Sequence, residues 1–211
     1  LLAAERGYVV AVNYTHNSLA ADEVVRHIRA MGGQAIAVQA DVGVEAQVLS
    51  MFKRIDAKLG PLTALVNNAG VVDVACRVDE VTSVRLKRLF DINVLGSFLC
   101  AREAILRMST RHGGTGGSIV NVSSVAARLG GAGQYVDYAA TKGAMDTFTV
   151  GLAQEVAAEG IRVKAVRPGI NDTDIHASGG QPERARQMAA TVPLQRAGTA
   201  QEVAQSILWL L

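Results

Sequence analysis

A chain of 211 residues has the length of one α/β domain with a single core, and 21 Lys+Arg against 19 Asp+Glu leave a formal charge of only +2. Basic residues scattered singly or in pairs exclude the charge footprint of a nucleic-acid binder. No apolar run approaches the roughly 20 residues of a membrane span, no signal peptide is visible, and Cys76 and Cys100 lack metal-ligand or Cys-x-x-Cys spacing. The expectation is a cytoplasmic protein with reduced thiols, no metal site, and neither nucleic acid nor membrane as partner.

Leu1 to Arg6 reads as the end of a helix stopped by Gly7, and Tyr8–Asn13 as a short apolar strand followed by a polar loop through Ser18. Leu19 to Met31 has helical apolar spacing and stops at Gly32-Gly33; Gln34–Gln39 is the next strand. Glu45 to Leu59 is an amphipathic helix closed by Gly60-Pro61, and Leu62–Val66 a strand running into Asn67-Asn68-Ala69-Gly70. Val81 to about Ser109 is one long helix. After a Gly-rich loop at 113–117 come the strand Ser118–Ser123, a loop, the helix Tyr138–Ala158 and the strand Ile161–Val166. Asp172 to Gly198 is polar with one short helical patch, and Ala200 to Leu211 is a last helix.

Strands that are apolar throughout and alternate with helices predict an α/β fold, a parallel sheet covered on both faces. In such sheets ligands bind beyond the carboxyl ends of the strands. Five polar or Gly-rich clusters fall there: Asn13–His16, Asp41–Val42, Asn67–Gly70, Ser123–Ser124 and Pro168–Thr173. Beyond them, Tyr138 and Lys142 stand four residues apart at the start of a helix, so both side chains leave one face. A phenol beside an ammonium can give and take a proton, the cation drawing the phenol pKa down. Ser124 adds a hydroxyl for a developing oxyanion.

In this order and spacing, Asn67-Asn68-Ala69-Gly70, Asn93, Ser124, Tyr138-x-x-x-Lys142 and Pro168-Gly169 resemble the short-chain dehydrogenase/reductase family, over essentially the whole chain. The resemblance implies a single Rossmann-type domain, a doubly wound sheet in three layers. It also implies NAD(P)-dependent interconversion of a secondary alcohol and a ketone. By position Tyr138 resembles the general acid/base, Lys142 the residue that lowers its pKa and binds nicotinamide ribose, Ser124 the polariser of the substrate oxygen and Asn93 the holder of a relay water. Asp41 and Val42 resemble the adenine contacts, Asn67, Ala69 and Gly70 the stretch under the cofactor, and Pro168, Gly169, Ile170 and Thr173 the nicotinamide-side loop. The group it looks nearest to contains bacterial 3-oxoacyl carrier-protein reductases and glucose dehydrogenases. A homodimer or homotetramer through the two long helices is expected, with the polar segment Asp174–Ala197 as a lid.

The family's NAD preference comes from an acid at the end of its second strand. Here that end reads Asn13-Tyr14-Thr15-His16-Asn17, without a carboxylate, so a 2′-phosphate meets no repulsion and NADP(H) is expected over NAD(H). The rival expectation is a dinucleotide-binding scaffold without turnover, against which the intact Tyr138 and Lys142 speak. Each site residue also has a plain structural reading: Ser123 and Ser124 as strand-end caps, Asn93 as a backbone partner, Asp41 and Asn67-Asn68 as turn formers. Ser123 is the alternative to Ser124. The chain contains no G-x-G-x-x-G, and neither the family's first strand with its Gly-rich turn nor its last strand is present. The chain therefore reads as part of a longer protein, with two inward strand edges left open. These residues alone are expected to be largely unfolded and to bind no dinucleotide.

Overall fold

The computed structural model describes residues 1–211. Its elements, in chain order, are α1 (Leu2–Glu5), β1 (Val10–Tyr14), α2 (Ser18–Ala30), β2 (Ala35–Gln39), α3 (Glu45–Leu59), β3 (Ala64–Asn67), α4 (Ser83–Phe90) and α5 (Gly96–Met108). There follow β4 (Gly117–Val122), α6 (Ala126–Leu129), α7 (Val136–Val156), β5 (Ile161–Val166), β6 (Asn171–Asp172), α8 (Ile175–Ser178), α9 (Arg184–Met188), β7 (Gly198–Thr199) and α10 (Ala200–Leu210). Every strand pair is parallel, so each strand's carboxyl end opens on the same side of its sheet. No helix is long and apolar enough to cross a membrane.

The first strand starts two residues later and ends one residue later than its apolar run suggests, because Tyr14 still pairs, in register with Gln39. The long helix is interrupted: Asp91–Leu95 forms a π turn between α4 and α5. The loop before the second long helix holds the short helix α6, and the polar segment beyond β5 holds two short helices rather than one. The ladder of β6 with β7, two residues on each side, ties that segment to the start of α10.

Side-chain alternation along β5 shows how the layers form. Ile161 and Val163 are buried in a core with Leu152 and Val156 of α7, Ala101, Ala104 and Met108 of α5, and Phe52 and Ile55 of α3. Arg162 and Lys164 point the other way and donate to the carbonyls of Leu211 and Leu210, where a helix C-terminus favours cations. On β1 and β2, α2 packs through Val25 and Ile28.

The strands order as β2-β1 and β3-β4-β5, with β1 hydrogen-bonded only to β2 and β3 only to β4. Between β1 and β3 runs a cavity of about 740 Å³, lined from one side by Val10, Ala11 and Asn13 and from the other by Leu65, Val66 and Asn67.

A polar ladder crosses the core just under the site. Asn67 Nδ2 donates to Asn121 Oδ1 (2.9 Å), Asn121 Nδ2 to Thr149 Oγ1 (2.9 Å), and Thr149 Oγ1 to the Met145 carbonyl (2.7 Å). Asn121 is fully buried, so each amide group must find its partner inside the protein. Asn121→Leu should lower unfolding stability by about 2 kcal/mol, the scale of stranded buried polar groups. A fall in the denaturant midpoint at constant m checks this; an unchanged midpoint contradicts it.

Candidate active site

The rim at the carboxyl ends of β3, β4 and β5 gathers the predicted residues, and hydrogen bonds show how each is held. The π turn that carries Asn93 leaves its side chain fully buried and aimed at the loop after β3. Asn93 Oδ1 accepts from Val71 N (2.8 Å) and Nδ2 donates to the Val71 carbonyl (2.9 Å), a two-bond clamp on the turn beyond Gly70. The same Nδ2 donates to Thr141 Oγ1 (3.1 Å), and Thr141 Oγ1 donates to the Tyr138 carbonyl (2.7 Å). Asn93 is thereby tied to the helix turn that bears the tyrosine. π turns concentrate at functional sites in proteins generally.

Lys142 is 4% exposed, and its Nζ donates to the Val122 carbonyl at 2.7 Å. One of three ammonium donors is used in this way, leaving two free to bind hydroxyls. The Nζ lies 5.6 Å from the centroid of the Tyr138 ring. Burial pushes the ammonium down to about 8, and the carboxylate of Asp146, one turn further on, pulls in the opposite direction. Asp146 itself accepts from Arg167 Nε at 2.8 Å and keeps a buried, unpartnered Oδ1.

Tyr138 departs from the expectation of a depressed phenol. Burial pushes its pKa above the ordinary value, and the neighbouring Ser124 hydroxyl pulls it partly back. The Lys142 ammonium stands over the tyrosine ring, 5.6 Å from its centroid, and burial outweighs it in this structure. The phenol is therefore held as an acid at neutral pH.

The two serines separate by their partners. Ser123 Oγ donates to the Lys142 carbonyl at 3.2 Å, fastening β4 to α7. Ser124 Oγ accepts from Ala126 N at 3.1 Å, which starts α6, and retains its own proton to donate. Ser124 is thus the serine on the rim, and Val125 N to the Pro168 carbonyl (3.0 Å) joins its loop to the one after β5.

The remaining predicted residues frame this centre. A Cβ on Gly70 would stand 3.5 Å from both Asn93 Oδ1 and Lys142 Nζ, so the glycine lets the turn after β3 pack directly against the amide and the ammonium. Ala69 beside it is exposed. Asn67 is turned inward into the polar ladder, and its side chain does not reach the rim. Asp41 Oδ1 caps Gly43 N at 2.9 Å, and Val42 is buried against Gly96 at the start of α5. Asn13 bridges the ends of β1 and β2 through the carbonyls of Val38 (3.2 Å) and Ala40 (3.0 Å). The carbonyls of Gly169 and Ile170 accept from Asn171 Nδ2 and Gly198 N, and Thr173 is exposed at the start of the helical segment.

That segment reaches the site from above. Gly179 lies against Val72 and the Asp73 carbonyl, and the Arg184 guanidinium stacks 5.0 Å from the centroid of Tyr135, three residues before Tyr138. Sequence reasoning passed over Thr141, Arg85, Asp137 and Asp146. Their roles depend on partners up to 52 residues away, which no local pattern signals.

This arrangement suits a flat, hydroxyl-bearing cofactor laid against the glycine turn, with a proton donor and a second hydroxyl beside it. Comparison with known proteins agrees. A family model described as enoyl-(acyl carrier protein) reductase matches residues 1–211. An oxidoreductase of Escherichia coli K12, YgfF, is 56% identical over all of this chain and 85% of its own length. The 3-oxoacyl-[acyl-carrier-protein] reductase FabG of Staphylococcus aureus is 35% identical over 100% of this chain and 83% of its own. The crystal structure of a short-chain dehydrogenase from Burkholderia cenocepacia in complex with NADP superposes with a TM-score of 0.87 at 32% identity, covering 98% of this chain and 81% of that one. Matched in sequence along its length and in fold to a solved member, the chain belongs to the short-chain dehydrogenase/reductase family.

Proposed function

We propose that this chain is a single dinucleotide-binding domain that interconverts a secondary alcohol and a ketone with NADP(H). The observation that carries the reading is the meeting of Ser124, Tyr138 and Lys142 at one rim, with Asn93 tied to the tyrosine's own helix turn. When bound, the nicotinamide supplies or accepts the hydride. Gly70, Lys142, Asp41, Val42 and the stretch from Pro168 through Ile170 and Thr173 are the residues that would hold the dinucleotide. In ketone reduction the Tyr138 phenol donates its proton to the substrate oxygen while Ser124 Oγ–H stabilises the charge building there. In alcohol oxidation the same phenol, ionised, takes the proton. Lys142 favours that ionised form and uses its two spare donors on ribose hydroxyls. Asn93 and Thr141 keep Tyr138 at its height on α7.

The cofactor preference rests on the end of β1, where Asn13 to Asn17 offers no carboxylate to a ribose hydroxyl or against a 2′-phosphate, and on the relative solved with NADP. A panel of ketones and sugars with NADPH depletion followed optically tests the activity, and the ratio of kcat/KM for NADPH and NADH tests the preference. The expected result is turnover on at least one ketone with a ratio of about 10 or more in favour of NADPH, worth roughly 1.4 kcal/mol. No turnover on any of them contradicts the reading, and a clear preference for NADH overturns the cofactor half of it.

The same reading includes a homodimer or homotetramer built on α5 and α7. Phe98 and Val150 on these helices are 46% and 59% exposed, and Phe98 stacks on Phe148 across them with ring centroids 3.8 Å apart. Light scattering on the eluting peak should give twice or four times the chain mass, and a monomer at micromolar concentration contradicts it.

A further inference from the structure

One buried ion pair sits directly behind the tyrosine and is not required by the chemistry above. Asp137 opens the first turn of α7 and is 5% exposed. Its Oδ1 accepts from the backbone N–H of Tyr138 at 2.8 Å, and its Oδ2 accepts from Arg85 Nε of α4 at 2.6 Å. The Arg85 Nη1 donates to the Val74 carbonyl at 2.5 Å and lies 3.9 Å from Asp73 Oδ1, while Nη2 is buried without a partner. Asp73 is held in turn by Arg88 at 3.5 Å.

The loop after β3 is thus pinned at three points: Val71 by Asn93, Val74 by Arg85, and Cys76, whose N–H donates to the Gln134 carbonyl at 3.0 Å. Two of the three anchors lead to the helix turn of Tyr138, one through Thr141 and one through Asp137. A buried ion pair is weak evidence of stabilisation, since desolvation offsets most of its attraction. An exposed acid would cap the first turn of α7 equally well without an arginine. What the pair adds is geometry, because a planar guanidinium fork bonds a carboxylate and a carbonyl at fixed angles, which an ammonium cannot reproduce.

We propose that Arg85 and Asp137 are positioning residues for Tyr138, fixing the first turn of α7 against the loop after β3 so that the phenol stands at the height of the reacting oxygen. The inference rests on Tyr138 being the acid/base. Misplacement by an ångström costs on the order of 10²-fold in rate.

The test is made in the full-length enzyme, with sites counted by NADPH fluorescence titration so that kcat refers to folded, cofactor-binding molecules. Asp137→Asn keeps an acceptor for the Tyr138 N–H and removes the charge; Arg85→Lys keeps the charge and removes the fork. Each should lower kcat for ketone reduction by roughly 10- to 100-fold with KM for NADPH within about twofold of the parent. The double variant should be no slower than the slower single one, as for two residues acting as a unit. An unchanged kcat per site in either variant, even with a lowered Tm, or multiplicative losses in the double variant, overturns the proposal. Tyr138→Phe measured alongside separates the two levels. Retained turnover there removes the reading of the site itself, while lost turnover there with unaffected Asp137→Asn removes the positioning role alone.

Discussion

Tyr138→Phe is expected to lower kcat for ketone reduction by about 10³-fold while leaving the Kd for NADPH within about twofold, the range found when a positioned proton donor is removed. The substitution deletes one oxygen from a half-buried ring and leaves the carbonyl that accepts from Thr141 in place. The loss is therefore chemical rather than structural. Because burial raises the phenol pKa, Tyr138 stays protonated through neutral pH and can act as the acid of reduction there. Alcohol oxidation needs the ionised phenol, so its rate should climb as pH rises above neutral, while reduction, which uses the protonated phenol, should stay level over pH 7 to 9. Parallel initial-rate profiles in both directions check the sign. An oxidation rate that is flat or falling from pH 7 to 9 contradicts it, as does an unimpaired Phe variant.

Lys142→Met should produce the second large effect, in two readouts. Turnover should drop by more than about 10²-fold, since both the cation beside the phenol and the ribose donors are lost. Stability should show a signature of its own. The folded-state pKa of Lys142 is lowered to about 8, against about 10.4 for a free lysine, so the folded state holds fewer protons between these values. Stability from this group therefore rises with pH across that window, is complete above the unfolded pKa, and is lost as pH falls through the folded one. The difference in unfolding free energy, parent minus variant, should grow by roughly 3 kcal/mol from pH 8 to pH 10.5 and stay level from pH 6 to 7.5. Denaturant titrations at these pH values check it, and a difference independent of pH contradicts the burial of a shifted ammonium.

The features most legible in the sequence are those with a local physical cause. Glu45–Leu59 is amphipathic and bounded by Gly60-Pro61, and it is helical over that range. Ile161–Val166 is apolar on one face and bounded by Gly160 and Pro168, and it is a strand. The π turn at Asp91–Leu95 is hidden because one extra residue in a turn barely disturbs the apolar spacing of a long helix. The two-residue ladder of β6 and β7 has too little length to leave a pattern. Within the rim, Ser124 could be separated from Ser123 only once the Lys142 carbonyl was seen to take the Ser123 hydroxyl. Asn67 could be read inward only once Asn121 was seen beneath it. The raised phenol pKa follows from burial in the folded site, which a spacing of four residues cannot express. Arg85 and Asp137 meet from 52 residues apart and leave no motif.

The most direct measurement is a crystal structure of the full-length enzyme with NADP+ and an alcohol substrate bound. The substrate oxygen is expected within about 3.2 Å of both Tyr138 Oη and Ser124 Oγ, with Lys142 Nζ on the ribose hydroxyls. An alcohol oxygen seated beyond hydrogen-bond reach of Tyr138, with Lys142 turned from the ribose, would contradict the account.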